Sequence, residues 1–309
     1  MKVAITTSSF AQFSRKPLDL LEQAGITHTL NPHGRKITED EAIDLLDGCI
    51  GVVAGTEPLT ARVINSLPEL KVISRCGVGM DSVDQKVARE KGIAVRLTPF
   101  GPTLAVAELT LGLALDLMRQ VSRMDRELRQ GKWKKRMGNT LSGKRLGIIG
   151  FGRIGQAVAK TFAPMSVGIA YNDPLVTYDA HPQMGLDELL VWADIITLHC
   201  SRPECGCTVL GSRELALLRS GSWVINCGRG GLVDEQALYD SLVTGHLAGA
   251  AVDVFMDEPY TGPLRDLDNI ILTPHIGSYA QETRIQMEID AVINLLNVLG
   301  LDPGAEEAC

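Results

Sequence analysis

The sequence predicts an α/β protein of two doubly wound parallel-sheet domains in series. Three observations carry this. Short apolar strand-like runs alternate with helical patterns along most of the 309 residues. A cluster of helix and strand breakers, Thr98-Pro99-Phe100-Gly101-Pro102-Thr103, interrupts the alternation once. After a long helical stretch the alternation restarts with Arg145–Ile149, which runs directly into Gly150-Phe151-Gly152-Arg153-Ile154-Gly155. The composition, 45% hydrophobic and 22% charged, is that of a globular chain long enough for two domains.

In the first half, Val3–Ile5, Gly51–Ala54, Val72–Ser74 and Ile93–Val95 read as strands, with helical segments near Leu18–Ala24, Glu41–Leu46 and Ala61–Leu67. A long helix is expected from about Leu104 to Arg119. In the second half the strands are Arg145–Ile149, Gly168–Tyr171, Ile195–Leu198, Trp223–Asn226, Ala248–Val252 and Ile270–Leu272. Helices fall between them at Arg153–Phe162, Leu186–Trp192, Ser212–Leu217 and Glu235–Thr244, and an amphipathic helix follows Ser278 to about Leu299. The tail Asp302–Cys309 reads as frayed.

The net charge of -7 leaves no broad footprint for nucleic acid. The one basic cluster, Lys132-Trp133-Lys134-Lys135-Arg136, fits a solvated face or a small anion site. The N-terminus lacks a signal-peptide core, and the apolar stretch Leu109–Leu117 falls short of a membrane span. Seven cysteines form no even framework, which points to a reducing cytoplasm. His199, Cys200, Cys205 and Cys207 lie close together, but their spacing is not a usual zinc pattern, and no metal is expected.

Three glycines where a strand turns into a helix suit a pyrophosphate, because glycine admits close approach to backbone N–H groups at the helix start. A tight turn with nothing bound would use the same residues. A dinucleotide site also requires an acidic residue roughly 20 positions on, at the end of the next strand. Asp173 stands there, after Gly168-Ile169-Ala170-Tyr171-Asn172. Its carboxylate can accept from ribose hydroxyls and would repel a 2′-phosphate, and Leu175-Val176-Thr177 supply no cation. NAD is therefore expected over NADP, on a Rossmann-like domain.

Three further segments end strands in reactive residues. Ile225–Glu235 carries Arg229 in a glycine-rich loop, Ala251–Pro259 carries Glu258, and Leu272–Ser278 carries His275 between Pro274 and Ile276. Open α/β sheets bind ligands at these strand ends. Taken singly, each has an ordinary reading: a surface histidine, a loop-bracing arginine, a turn-capping glutamate. Together they suit hydride exchange with a carbon bearing a hydroxyl. A histidine takes the hydroxyl proton, a carboxylate favours its protonated form and fixes its tautomer, and a guanidinium binds the substrate carboxylate.

The ordered set GFGRIG, Asp173, NCGRGGLVDE, DVFMDEP and TPHIGS resembles the D-isomer-specific 2-hydroxyacid dehydrogenase family across nearly the whole chain. In style it is closest to short 3-phosphoglycerate dehydrogenases, whose pattern Ile73–Asp84 and Gly131–Trp133 also match. The resemblance implies a substrate domain of residues 1–98 with 285–309 returning to it, and an NAD-binding domain of 99–284, with substrate in the cleft between them. It implies Arg229, Glu258 and His275 as the catalytic set. Gly150, Gly152, Arg153, Ile154, Gly155, Asp173, His199, Cys200, Cys227, Asp253 and Gly277 would meet the cofactor, Asp253 through the nicotinamide carboxamide. Arg75, Val78 and Gly79, with Arg229 and His275, would meet the substrate.

Formate dehydrogenases on this scaffold carry glutamine where Glu258 stands, so Glu258 favours hydroxyacid chemistry. Corepressors that sense NAD, and dehydrogenases of phosphonate or inorganic anions, share the scaffold and are the alternatives. The family pairs subunits through the region 104–129, so a homodimer is expected; Leu104, Val106, Leu109, Leu111, Leu113 and Leu117 are too many for one helix to bury in its own domain. Two departures bear on substrate. Val53-Ala54-Gly55-Thr56 lacks the arginine that serine-pathway relatives use for phosphate, leaving Arg75 and residues 132–136. Pro102 replaces the usual asparagine and would stiffen a loop. A small 2-hydroxy acid, 3-phosphoglycerate or a similar dianion among the candidates, is the expected substrate.

Overall fold

The computed structural model describes residues 1–203 and 205–302. The tail expected to fray lies outside them from residue 303 on. The chain divides into two compact units, one of residues 1–102 with the chain from Ser278 on, the other Thr103–Gly277.

The first unit opens with β1 (Lys2–Ile5), α1 (Lys16–Gln23), β2 (Thr27–Leu30), α2 (Glu39–Leu46), β3 (Gly51–Ala54), α3 (Ala61–Asn65), β4 (Val72–Arg75), α4 (Gln85–Glu90) and β5 (Ala94–Leu97). Local chemistry sets the helix starts. Pro17 begins α1, Thr38 and Glu41 form a reciprocal capping box at α2, and the Asp84 carboxylate accepts from Val87 N–H at α4. The strands form one parallel sheet in the order β2-β1-β3-β4-β5. β3 is buried throughout, which is why it reads as an unbroken apolar run. β2 and α4 are additions to the sequence reading. β2 is a half-exposed edge strand, Thr27-His28-Thr29-Leu30, with no apolar run to betray it.

Helix α5 (Gly101–Arg119) carries the chain from the first unit into the second, where α6 (Val121–Arg129) follows. Pro102 therefore lies in the first turn of a helix, where its missing N–H costs nothing, and not in a stiffened loop as expected. The two helices are separated by Gln120, at φ +54°, with the Asp116 carboxylate accepting from Ser122 N–H at 2.8 Å. α5 is long and apolar enough to cross a membrane by length and composition, contrary to the sequence reading, but Val106, Ala107, Leu113, Ala114, Leu117 and Met118 are packed in the core of this unit. There follow β6 (Arg145–Ile149), α7 (Arg153–Phe162), β7 (Gly168–Asn172), α8 (Leu186–Trp192), β8 (Ile195–Leu198), α9 (Ser212–Leu217), β9 (Ser222–Asn226), α10 (Glu235–Val243), β10 (Leu247–Val252) and β11 (Ile270–Leu272). Their parallel sheet has the order β11-β10-β9-β8-β6-β7, and buried layers cover both faces.

The last helix, α11 (Gln281–Leu299), belongs to the first unit. Its Met287, Ala291, Val292, Leu295 and Leu296 pack with Val3, Ile5, Val53 and Val72. Gly51 permits the approach: a Cβ there would lie 2.8 Å from Val72 and 3.2 Å from Leu295. A boundary at 284/285 would cut this helix. Arg284 is committed to the first unit, donating to Ser9 Oγ at 3.0 Å and pairing with buried Glu288 at 3.0 Å, and the division falls at 277/278.

Cys205 and Cys207 are joined in a disulfide, while Cys49, Cys76, Cys200 and Cys227 are free. Among the described residues no cluster of His, Cys, Asp or Glu could hold a metal ion.

Candidate active site

In the second unit the glycine motif turns between β6 and α7. Gly150 takes φ +88°, and a Cβ on it would fall 2.4 Å from the Cys200 backbone nitrogen. A Cβ on Gly155 would fall 2.2 Å from the Gly150 carbonyl oxygen, so this glycine lets the helix pack on the strand. Gly152 differs: it caps α7, and a Cβ on it would meet nothing within 4 Å. The open space is over the helix start, where Arg153 and Ile154 present backbone N–H groups that lie beyond the reach of intrahelical acceptors. This cradle fits a pyrophosphate. Phe151 is not a ligand candidate; it is buried and stacks on Tyr171 at 4.0 Å.

Asp173 follows β7. One carboxylate oxygen accepts from Phe151 N–H at 2.7 Å, the other from Leu175 N–H at 2.8 Å and Val176 N–H at 3.1 Å. The residue thus holds the glycine loop in shape as well as standing at the position expected for ribose recognition. Beyond β8, the His199 ring contacts Thr197 Oγ1 through Nε2 at 2.8 Å, while its buried Nδ1 has no hydrogen-bond partner. Burial pushes this imidazole down to about 3, so it is neutral. Burial likewise pushes the half-buried Cys200 thiol up to about 11 and the Cys227 thiol up to about 12, which makes both inert as nucleophiles.

Asn226 ends β9 and shapes the next loop. Its amide donates to the Arg229 carbonyl at 3.0 Å and its oxygen accepts from Gly228 N–H at 3.1 Å. Arg229 is half-buried and donates to the Gly228 carbonyl at 2.8 Å. A Cβ on Gly230 would lie 1.8 Å from the Phe255 carbonyl oxygen, so only glycine lets the Arg229 loop press against the loop that carries Glu258.

After β10, buried Asp253 ties two loops together. Its carboxylate accepts from Thr273 Oγ1 at 2.6 Å, Ile276 N–H at 2.8 Å and Gly277 N–H at 2.9 Å. Burial holds this carboxyl above the usual range, and those three donors oppose the shift. Both oxygens therefore already serve the loop around His275, in addition to the cofactor contact expected of Asp253. His275 takes φ +56°, a conformation that a side chain other than glycine adopts only when its surroundings impose it. The result is that its Nδ1 lies 3.0 Å from Glu258 Oε2, while Glu258 Oε1 accepts from Phe255 N–H at 3.1 Å. Both side chains remain partly exposed. The second unit thus brings Glu258 and His275 into contact and sets the Arg229 loop against theirs. Asn226 and Thr273, which hold these loops, were not singled out by the sequence, since their roles depend on partners across two strands.

In the first unit Val78 and Gly79 sit half-buried in the loop after β4. Gly77, at φ +147°, donates its N–H to Thr98 Oγ1 at 2.8 Å. Arg75 is only 8% exposed. Its guanidinium donates to the carbonyls of Gly79 at 3.0 Å and Cys76 at 3.4 Å, so it braces the loop from within.

Comparison with known proteins gives a consistent result. Residues 111–277 match the family model for the D-isomer specific 2-hydroxyacid dehydrogenase, NAD binding domain. A D-3-phosphoglycerate dehydrogenase of Methanocaldococcus jannaschii is 39% identical over 258 residues, covering 80% of this chain and 49% of that protein. A hydroxypyruvate reductase of Thermotoga maritima is 37% identical over 264 residues, covering 81% of this chain and 84% of that one. A crystal structure of a Thermus thermophilus protein superposes with a TM-score of 0.91 at 36% identity, covering 97% of each chain. The chain spans about half the length of the phosphoglycerate dehydrogenases it matches.

Proposed function

The chain belongs to the D-isomer specific 2-hydroxyacid dehydrogenase family, and on that premise we propose that it moves a hydride between a small D-2-hydroxy acid and NAD. The observation that carries this is the His275–Glu258 contact of 3.0 Å at the strand ends of the unit that holds the glycine cradle. NAD, when bound, accepts or returns the hydride. The residues of the chain manage charge and protons. Because Nδ1 faces Glu258, Nε2 is the atom of His275 left to take the hydroxyl proton during oxidation and return it during reduction. Glu258 fixes that tautomer and balances the imidazolium. Arg229 would bind the substrate carboxylate and polarise the neighbouring carbonyl. Gly152, Arg153 and Ile154 would receive the pyrophosphate, and Asp173 the adenosine ribose.

We assign NAD binding to the second unit and the carboxylate-binding loop at Val78 and Gly79 to the first. Arg75 supports that loop. The exposed side chains of Leu104, Leu115, Val121 and Leu128 support a homodimer built on α5 and α6. Among the described residues the free thiols of Cys49, Cys76, Cys200 and Cys227 support a cytoplasmic setting, and the Cys205–Cys207 disulfide adds nothing to that support. A panel of D- and L-2-hydroxy acids with NAD, followed as absorbance of the reduced cofactor, tests the reading. Reduction of NAD by D-acids and not by their L-isomers is expected; turnover of the L-isomers alone, or of neither, would overturn it.

A further inference from the structure

The loop from β8 to α9 carries Cys205-Gly206-Cys207, which neither the hydride chemistry nor the glycine cradle uses. Cys205 and Cys207 are joined in a disulfide, with their Cα atoms 5.3 Å apart. Both residues are exposed. Gly206, at φ +70°, makes the reversal that lets two cysteines so close in sequence face each other. Its N–H donates to the Pro203 carbonyl at 2.9 Å, and Cys207 N–H donates to Cys205 Sγ at 3.4 Å. The free thiols are the opposite case. Cys49, Cys76 and Cys227 are buried and Cys200 is half-buried, and burial pushes all four up, Cys76 and Cys200 to about 11 and Cys227 to about 12. Exchange needs a thiolate to reach a disulfide sulfur, so access decides which sulfurs take part.

The loop is pinned at one end to the glycine cradle and at the other to the chain beyond Arg229. At its start, His199 N–H donates to the Ile149 carbonyl at 2.8 Å, and the Cys200 backbone nitrogen lies 2.4 Å from where a Cβ on Gly150 would stand. At its end, the N–H groups of Val209 and Leu210 donate to the Leu232 carbonyl at 2.8 and 2.9 Å, and Asp234 N–H donates to the Leu210 carbonyl at 2.9 Å. Between these ends the Arg202 guanidinium lies over the Arg229 loop, 3.2 Å from where a Cβ on Gly231 would stand. The cysteine pair thus sits within a segment that joins two parts of the second unit expected to meet NAD.

We propose that Cys205 and Cys207 form a reversible redox site that exchanges with a dithiol, and that its disulfide form favours NAD binding by the second unit. In the exchange, one thiolate of the dithiol attacks a sulfur of the pair, the Cys205–Cys207 bond breaks, and a mixed disulfide forms while the released thiolate takes a proton. The second thiol of the reagent then displaces the other cysteine. Two electrons and two protons pass to the protein, and the reagent leaves as a cyclic disulfide. The closed pair holds residues 205–207 in one turn. Reduction frees the segment between Cys200 and Val209, and NAD must then order it on binding, at a cost the closed form does not carry. By linkage, bound NAD protects the pair from reduction by the same factor. The coupling rests on the dinucleotide reading above; the exchange does not.

The test uses the full chain in buffers of reduced and oxidised dithiothreitol, with alkylation of thiols and mass spectrometry of the peptide that holds residues 205–207. The pair should open and close reversibly. NAD, titrated by fluorescence, should bind the reduced protein about fivefold more weakly than the oxidised one, and saturating NAD should raise the dithiol-to-disulfide ratio at half-reduction by the same factor. Cys205→Ser and Cys207→Ser cannot close, so both should bind NAD as the reduced wild type does in either buffer. A pair that never closes, or never opens under excess dithiol, sinks the redox site. Equal NAD affinity of the two forms sinks the coupling, and a serine variant whose affinity still follows the buffer traces the effect to another thiol and does the same. If neither form binds NAD, the dinucleotide reading fails and the coupling with it, while the thiol titration still decides the exchange.

Discussion

His275 Nδ1 faces Glu258 Oε2 at 3.0 Å, and the loop that presents the histidine is itself held by Asp253. If Nε2 of His275 is the proton-transfer atom, His275→Ala should lower turnover by roughly 10²–10⁴-fold. NAD affinity should be unchanged, because the glycine cradle and Asp173 lie on other strands. Cofactor titration by fluorescence beside steady-state kinetics checks both halves.

Glu258→Gln should lower turnover in both directions while leaving NAD affinity unchanged. The substitution keeps an acceptor for Phe255 N–H and removes the carboxylate that faces His275 Nδ1. A Glu258 that only caps the Phe255 turn predicts little loss, since glutamine preserves that acceptor, and steady-state kinetics beside cofactor titration tell the two apart.

Asp173 should make NAD the preferred cofactor by at least about tenfold over NADP, or ~1.4 kcal/mol. The same carboxylate holds Phe151 N–H at 2.7 Å, so Asp173→Asn should weaken both cofactors while narrowing the preference. Equal kcat/KM for NAD and NADP in the wild type would refute the assignment.

The glycines of the motif should separate under substitution. Gly155→Ala drives a methyl into the Gly150 carbonyl oxygen, 2.2 Å from its ideal position, and should cost about 1–3 kcal/mol of stability as an overpacked backbone contact. Gly152→Ala meets nothing within 4 Å and should leave the melting temperature nearly unchanged while weakening NAD by more than tenfold, since its methyl enters the space meant for phosphate. Calorimetry with and without NAD distinguishes the two; equal melting temperatures would contradict the close packing at Gly155.

A homodimer through α5 and α6 should appear in light scattering at micromolar concentration, and a clean monomer mass would count against it. The sequence argument for it needs one adjustment. Val106, Leu113 and Leu117 are buried within their own unit, so the case rests on Leu104, Leu115, Val121 and Leu128.

The parts of the fold that were legible in the sequence are those where burial on both faces writes a continuous apolar run, as in β3 and β8. Edge strand β2 was not, because its polar residues face solvent, and the break at Gln120 was not, because a single left-handed residue leaves no pattern. At the site, the chemistry-bearing residues stood out by type and by their place after strands. What stayed hidden was direction. Arg75 reads as a cation that meets a ligand, and only its contacts with Cys76 and Gly79 show that it also braces its own loop.

The return of α11 to the first unit has a consequence for biosynthesis. Residues 1–102 leave the ribosome before Thr103–Gly277, yet one face of their sheet is covered by Met287, Val292, Leu295 and Leu296, which are made after that stretch. The intervening Thr103–Gly277 stretch is contiguous and holds all of its own sheet, so it has what it needs to fold as soon as it emerges. The unit made earlier is thus the one that must wait, with Val3, Ile5, Val53 and Val72 uncovered until α11 has been made. Nascent chains stalled before residue 281 should bind chaperones through that uncovered face, and release past residue 299 should end the binding.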